Sequence, residues 1–211
     1  MIQYLNKIRQ PINMKISKKI TYTVIFLLVG IVLGIVSKAL DETASNLLPA
    51  FLEMLDLRNF FSRMGFWIFS GICISIYSKT PLHASLNVFI FFAGMVSSYY
   101  IYTVQVAGFF PKSYMIIWVI MTILSPSMGA ICWYAKGIHP MSVCISVILF
   151  MMMARQAFSF GLWYFDIKYM LELLLLGATI GVLYKTKRQI LTVIGAGMLL
   201  FFATSPFHLL G

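Results

Sequence analysis

The chain has 211 residues, of which 61% are hydrophobic and only 10% charged, at a mean hydropathy of +0.91. Soluble domains carry about a quarter charged residues, and here the apolar excess runs the whole length in blocks long enough to cross a ~30 Å hydrocarbon core. A net charge of +10 would suit nucleic acid, but the Lys and Arg residues sit in short segments between apolar blocks. That placement reports membrane orientation and attraction to anionic lipid, not nucleic-acid binding.

In chain order, residues 1–19 form a basic N-terminal segment, and 20–211 read as a single transmembrane domain. Seven spans are expected, at about 20–39, 64–78, 84–106, 114–134, 140–161, 168–184 and 189–207, with six as the alternative. The first follows Lys15, Lys18 and Lys19, as a secretory signal would. Its length and the lack of a small-residue cleavage site make it an uncleaved span. Between the first two spans, residues 46–62 mix Leu and Phe with Glu53, Asp56 and Arg58, as an amphipathic helix at the interface does. The fold class is therefore an all-α, polytopic transmembrane helix bundle.

Charge orients it. With a cytoplasmic N-terminus and seven spans, the inner segments hold Lys7, Arg9, Lys15, Lys18, Lys19, Lys79, Lys136, Lys185, Lys187 and Arg188, and no acid. The outer segments hold Lys38, Arg58, Arg63, Lys112 and Lys168 against Asp41, Glu42, Glu53, Asp56 and Asp166. The positive-inside rule thus predicts a multi-pass cell-membrane protein, N-terminus inside and C-terminus outside.

Four features could carry function. Gly30, Gly34 and Ser37 fall at helical spacing on the first span and allow close helix docking, by a partner membrane subunit or within this bundle. Tyr99, Tyr100 and Gln105 crowd the outer end of the third span, as an interfacial aromatic belt or a polar cavity would. Ser125-Pro126-Ser127 predicts a kink in the fourth, since proline frees a carbonyl four residues earlier. Arg155 lies ~22 Å along the fifth span and Glu172 ~6 Å down the sixth, at one depth on antiparallel neighbours. A charge there costs about 2.5–3.5 kcal/mol on insertion scales, so the two are expected to face inward and interact. The alternatives are a Glu172–Lys168 pair on one helix and an Arg155 that snorkels outward. With Gln156, Trp163 and Tyr164, these residues would line a site for an anionic or aromatic solute. Cys73, Cys132 and Cys144 lack ligand spacing, and His83, His139 and His208 fall near membrane boundaries, with surface positions expected. No metal site, cofactor motif or catalytic constellation is read, so an enzyme is the least favoured class.

Several stretches, "GIVLGIVSKALDE", "YSKTPLHASLNVFIFFAGMVSSYY" and "ICWYAKG", resemble a family of small, uncharacterised multi-spanning bacterial membrane proteins, a resemblance that implies no chemistry. A weaker likeness, through Gly30, Gly34 and Ser37, is to the substrate-binding subunits of energy-coupling-factor vitamin transporters. Those have six spans with both termini cytoplasmic, against the seven read here. The expectation is a solute-binding or transport-type component with an outward-facing polar cavity, the bilayer being its first partner. The rival is an accessory or structural subunit whose charges only fix helix packing.

Overall fold

The structure, a computed structural model, describes residues 2–43, 49, 53–108, 112–161 and 163–205. Within them, helices α1 (Ile2–Ile8), α2 (Ile16–Glu42), α3 (Leu57–Ser62), α4 (Met64–Tyr77) and α5 (Pro81–Tyr102) follow in order. A π-turn (Thr103–Ala107) ends α5 before α6 (Lys112–Trp133) and a 3₁₀ turn (Tyr134–Lys136). Helices α7 (Pro140–Ala157), α8 (Met170–Leu183) and α9 (Lys187–Thr204) complete the set, with a two-stranded hairpin between α7 and α8. Part of the expected interfacial stretch 46–62, the end of the last expected span, and His208 lie outside the described residues.

Among the described residues, five helices, α2, α5, α6, α7 and α9, are long and apolar enough to cross a membrane. The other two apolar helices, α4 and α8, have 14 residues each, or ~21 Å. Cross-contacts show that all seven alternate in direction. Thr23 meets Asn87 and Ser98 meets Ile31, so α2 and α5 are parallel. Trp67 stacks near Trp118, while Arg9 reaches both Ile76 and Trp133, so α4 and α6 share a direction opposite to α5. Arg63 meets Glu172 and Gly65 meets Gln156, which fixes α7 and α8. One end of the bundle carries Arg9, Lys79, Lys136 and Lys185; the other carries Asp41, Asp56 and Asp166. They are called here the basic and acidic ends.

Helix α4 is the wedge of the bundle, packing on α5 and α6 to one side and on α7 and α8 to the other. Its faces divide the core in two. Trp67 and Ile74 join Val88, Phe91 and Met95 in one cluster. Ile72 and Ile76 join Phe150, Met153, Leu183 and Val193 in the other. The outer faces of α2, α6 and α9 expose Ile, Leu, Val and Met throughout, which only a hydrocarbon solvent tolerates at this density.

The tightest crossing is α2 on α5. A Cβ at Gly30 would lie 2.2 Å from the Phe91 carbonyl oxygen, and one at Gly34 2.2 Å from Ser98 Oγ. Gly94 answers from α5, its absent Cβ 2.9 Å from Leu27. This is small-residue packing of the kind that brings membrane helices together. In α6, Pro126 leaves the Thr122 carbonyl without its helical donor, and Ser125 Oγ supplies one at 2.8 Å.

The expected fifth span is too long at its acidic end. Helix α7 stops at Ala157, and Phe158–Gly161 pairs antiparallel with Tyr164–Ile167. The physical reason is the local pattern "FSFGLWYFDI", aromatic-rich with polar alternates, which favours strand over helix. Phe160 and Phe165 pack on Phe201 and Phe202 of α9, so the hairpin folds over that end. The bundle is thus nearly all-α rather than all-α.

Candidate functional site

Glu172 sits in the first turn of α8, 0% exposed. Its partner is Arg63, the residue that starts α4, and not Arg155. Arg63 Nε donates to Glu172 Oε1, and Nη2 donates to Oε2 at 3.3 Å, a two-point contact of the kind guanidinium and carboxylate make best. The guanidinium also lies 3.8 Å from the Tyr169 ring centroid and donates from Nη1 to Asp56 at 3.2 Å.

The local sequence builds this corner. Asp56 adopts a left-handed backbone with φ of 51°, which Asp tolerates better than most residues. Its other oxygen accepts from Asn59 Nδ2 at 2.7 Å. Arg63 is extended between α3 and α4, so its side chain swings across to α8. Gly65 makes room: a Cβ there would lie 3.1 Å from Glu172 Cγ and 3.4 Å from Gln156 Cβ. Burial works against the charged guanidinium, but the Glu172 and Asp56 carboxylates outweigh it and hold Arg63 above its ordinary range.

Arg155 points elsewhere. Its Nη2 donates to the Thr204 carbonyl at 2.8 Å, at the C-terminal end of α9, where a cation meets the negative end of the helix dipole. The expected Arg155–Glu172 contact is therefore corrected. The two share a depth, but successive residues on a helix point ~100° apart, so Gln156 faces Glu172 while Arg155 faces α9.

The remaining expected residues scatter. Tyr99 Oη lies 3.4 Å from Asp41, with Lys38 5.4 Å above its ring, and Lys38 is itself paired with Asp41 and Glu42. Tyr100 is buried and Gln105 exposed. Trp163 is 96% exposed at the hairpin tip, and Tyr164 is exposed beside it. Gly30, Gly34 and Ser37 face α5 within the chain. Tyr99, Tyr100, Ser37 and Tyr114 border a recess of about 20 Å³ at the acidic end, room for a water molecule.

Three features escaped the sequence reading. His83, expected at the surface, is 6% exposed; its Nε2 lies 3.2 Å from the Lys19 carbonyl, beside a Thr23–Asn87–Ser78 hydroxyl and amide chain. The segment after α1 docks on the basic end: Ile138 N donates to the Ile8 carbonyl at 2.9 Å, and Ile12 N to that of Lys79 at 3.0 Å. Third, a cavity of about 250 Å³ lies between α4, α5, α6 and α7, walled by Trp67, Gly71, Phe92, Trp118, Met128 and Met152. Its hydroxyls, Ser75, Thr122 and Ser125, donate to carbonyls of their own helices, so the wall is chemically apolar. The spacing of Met121, Leu124 and Met128 along α6 could have drawn attention to this face.

Among the described residues, no group of three His, Cys, Asp or Glu side chains comes together. Comparison with known proteins finds no match: no family model, curated protein or solved structure resembles the chain significantly.

Proposed function

We propose that this chain is an accessory or structural component of a cell-membrane assembly, a seven-crossing bundle with a cytoplasmic N-terminus whose intramembrane charges serve helix packing. The observation that carries this is Glu172: fully buried, it is held at two points by Arg63 from the neighbouring helix. Lys38 with Asp41 and Glu42, and Arg155 with the end of α9, follow the same rule of charges answered from within the chain. The alternating directions of α2 and α4–α9 support seven crossings. The basic end, without a carboxylate, supports the orientation.

Solute capture at the acidic end draws less support. The residues expected to line its site are dispersed, and the recess there accommodates water rather than a solute. Thermal unfolding in detergent tests the choice, using the parent, E172Q and R155Q with a panel of small anionic and aromatic acids. E172Q lowers the midpoint, and no acid moves that of the parent. A compound that raises the parent midpoint but leaves E172Q unchanged contradicts the proposal.

A further inference from the structure

The cavity reaches Ser75 on α4 and Cys132 on α6, the residues just before Ile76 and Trp133, and from there the basic end carries a cluster of cations. Arg9 donates to the carbonyls of Trp133 and Ile76 and lies over the Trp133 ring, 4.3 Å from its centroid. Lys136 Nζ donates to the Tyr184 carbonyl at 2.8 Å, and Lys185 Nζ to that of Gly137. These contacts cap the C-terminal ends of α4, α6 and α8. Each helix end offers about half a negative charge, so three cations face roughly one and a half compensating charges. Burial lowers the basicity of Arg9 and Lys185, and for Lys185 the Arg9 charge adds to that.

Among the described residues, no acidic side chain lies on this face. Lys79, Lys187 and Arg188 add to the excess, while all six acidic residues of the chain belong to the other end. Asp41 and Glu42 pair with Lys38, and Asp56 and Glu172 with Arg63. Glu53 neighbours Asp56, and Asp166 lies in the hairpin. All three clustered cations are half-buried, and each has donors beyond those used.

The cavity supplies the second half of a site. Met121, Leu124, Met128 and Met152 are exposed where it opens sideways toward the bilayer. From Met64 to Ser75 its α4 wall is ~16 Å long, about half of a ~30 Å hydrocarbon core. Dry cavities of ~150 Å³ already take an apolar guest, and this one is larger. We propose that the protein binds one anionic phospholipid at its basic end, the phosphate on Arg9, Lys136 and Lys185 and an acyl chain in the α6–α7 crevice.

Quenching of the three tryptophans left in the W163F chain, Trp67 and Trp118 at the cavity and the buried Trp133, by lipid with brominated acyl chains tests this in phosphatidylcholine vesicles, the exposed reporter having been removed. Brominated phosphatidylglycerol is expected to quench at much lower mole fraction than brominated phosphatidylcholine. K136Q/K185Q reduces that preference about fivefold per lysine and keeps quenching by phosphatidylcholine. G71L adds a side chain at the cavity wall, where its Cβ would rest in van der Waals contact 3.6 Å from the Phe92 ring, and lowers quenching by both lipids without touching a charge. Excess inorganic phosphate at constant ionic strength leaves the preference in place. Equal quenching by the two lipids, a preference that survives K136Q/K185Q, or its loss to inorganic phosphate overturns the assignment.

Discussion

At the scale of single residues, several buried polar groups in this bundle are answered within one turn of their own helix. Ser125 shows how: its hydroxyl bonds to the carbonyl that Pro126 strips of a donor. Replacing it by Ala leaves that carbonyl unsatisfied inside the membrane, a loss of about 1 kcal/mol. In S125A/P126A the restored N–H reaches Thr122, so unfolding in a denaturing detergent returns to the parent value or above it. The Arg63–Glu172 pair obeys the same logic with charges. Its depth was legible in the sequence, because Glu172 falls within an apolar run one turn from a span boundary. Its partner was not. Depth along an axis is countable from residue number, but the direction a side chain points around that axis depends on which helices surround it. Arg63 shares its depth with Glu172 because both open helices that run the same way. That relation joins residues 109 apart in sequence and required the packing order.

At the scale of elements, helix positions were legible to within a few residues for α4, α6 and α8, since hydropathy and flanking charge mark where an apolar helix ends. The end of α7 was not, because alternating aromatic residues satisfy a hydropathy window as well as a helix does. The role of Gly30 and Gly34 could be narrowed only to close docking; the structure seats them against α5. G34A drives a methyl toward Ser98 Oγ and the Met95 carbonyl, 2.2 and 2.4 Å away, and should lower stability by about 1–3 kcal/mol. A Cβ at Gly195 meets nothing within 4 Å, so G195A should leave stability unchanged or slightly higher. Equal effects at the two positions, measured by unfolding in mixed micelles, would remove the α2–α5 crossing from the account.

At the scale of the whole molecule, two short helices lie within a frame of five long ones. A 14-residue helix falls short of the bilayer, yet α4 touches both ends: Arg63 at the acidic end and Ser78 beside Trp133 at the basic end. If α4 crosses, cysteines placed at Ser62 and Lys79, in a chain whose Cys73, Cys132 and Cys144 are replaced, react with a membrane-impermeant maleimide from opposite sides. Reaction of both from one side would make α4 re-entrant and invert every later helix. Arg63 holds Glu172, and through it binds the central wedge to α8. A double-mutant cycle for unfolding, built from R63M, E172M and R63M/E172M, measures it most directly. Removing one partner of a buried pair costs about 3–5 kcal/mol, whereas replacing both by apolar side chains costs far less. The expected result is that each single variant is strongly destabilised and the double recovers most of the loss, while R155M and E172M simply add. Additive effects of R63M and E172M, or coupling that appears between Arg155 and Glu172 instead, would contradict the account.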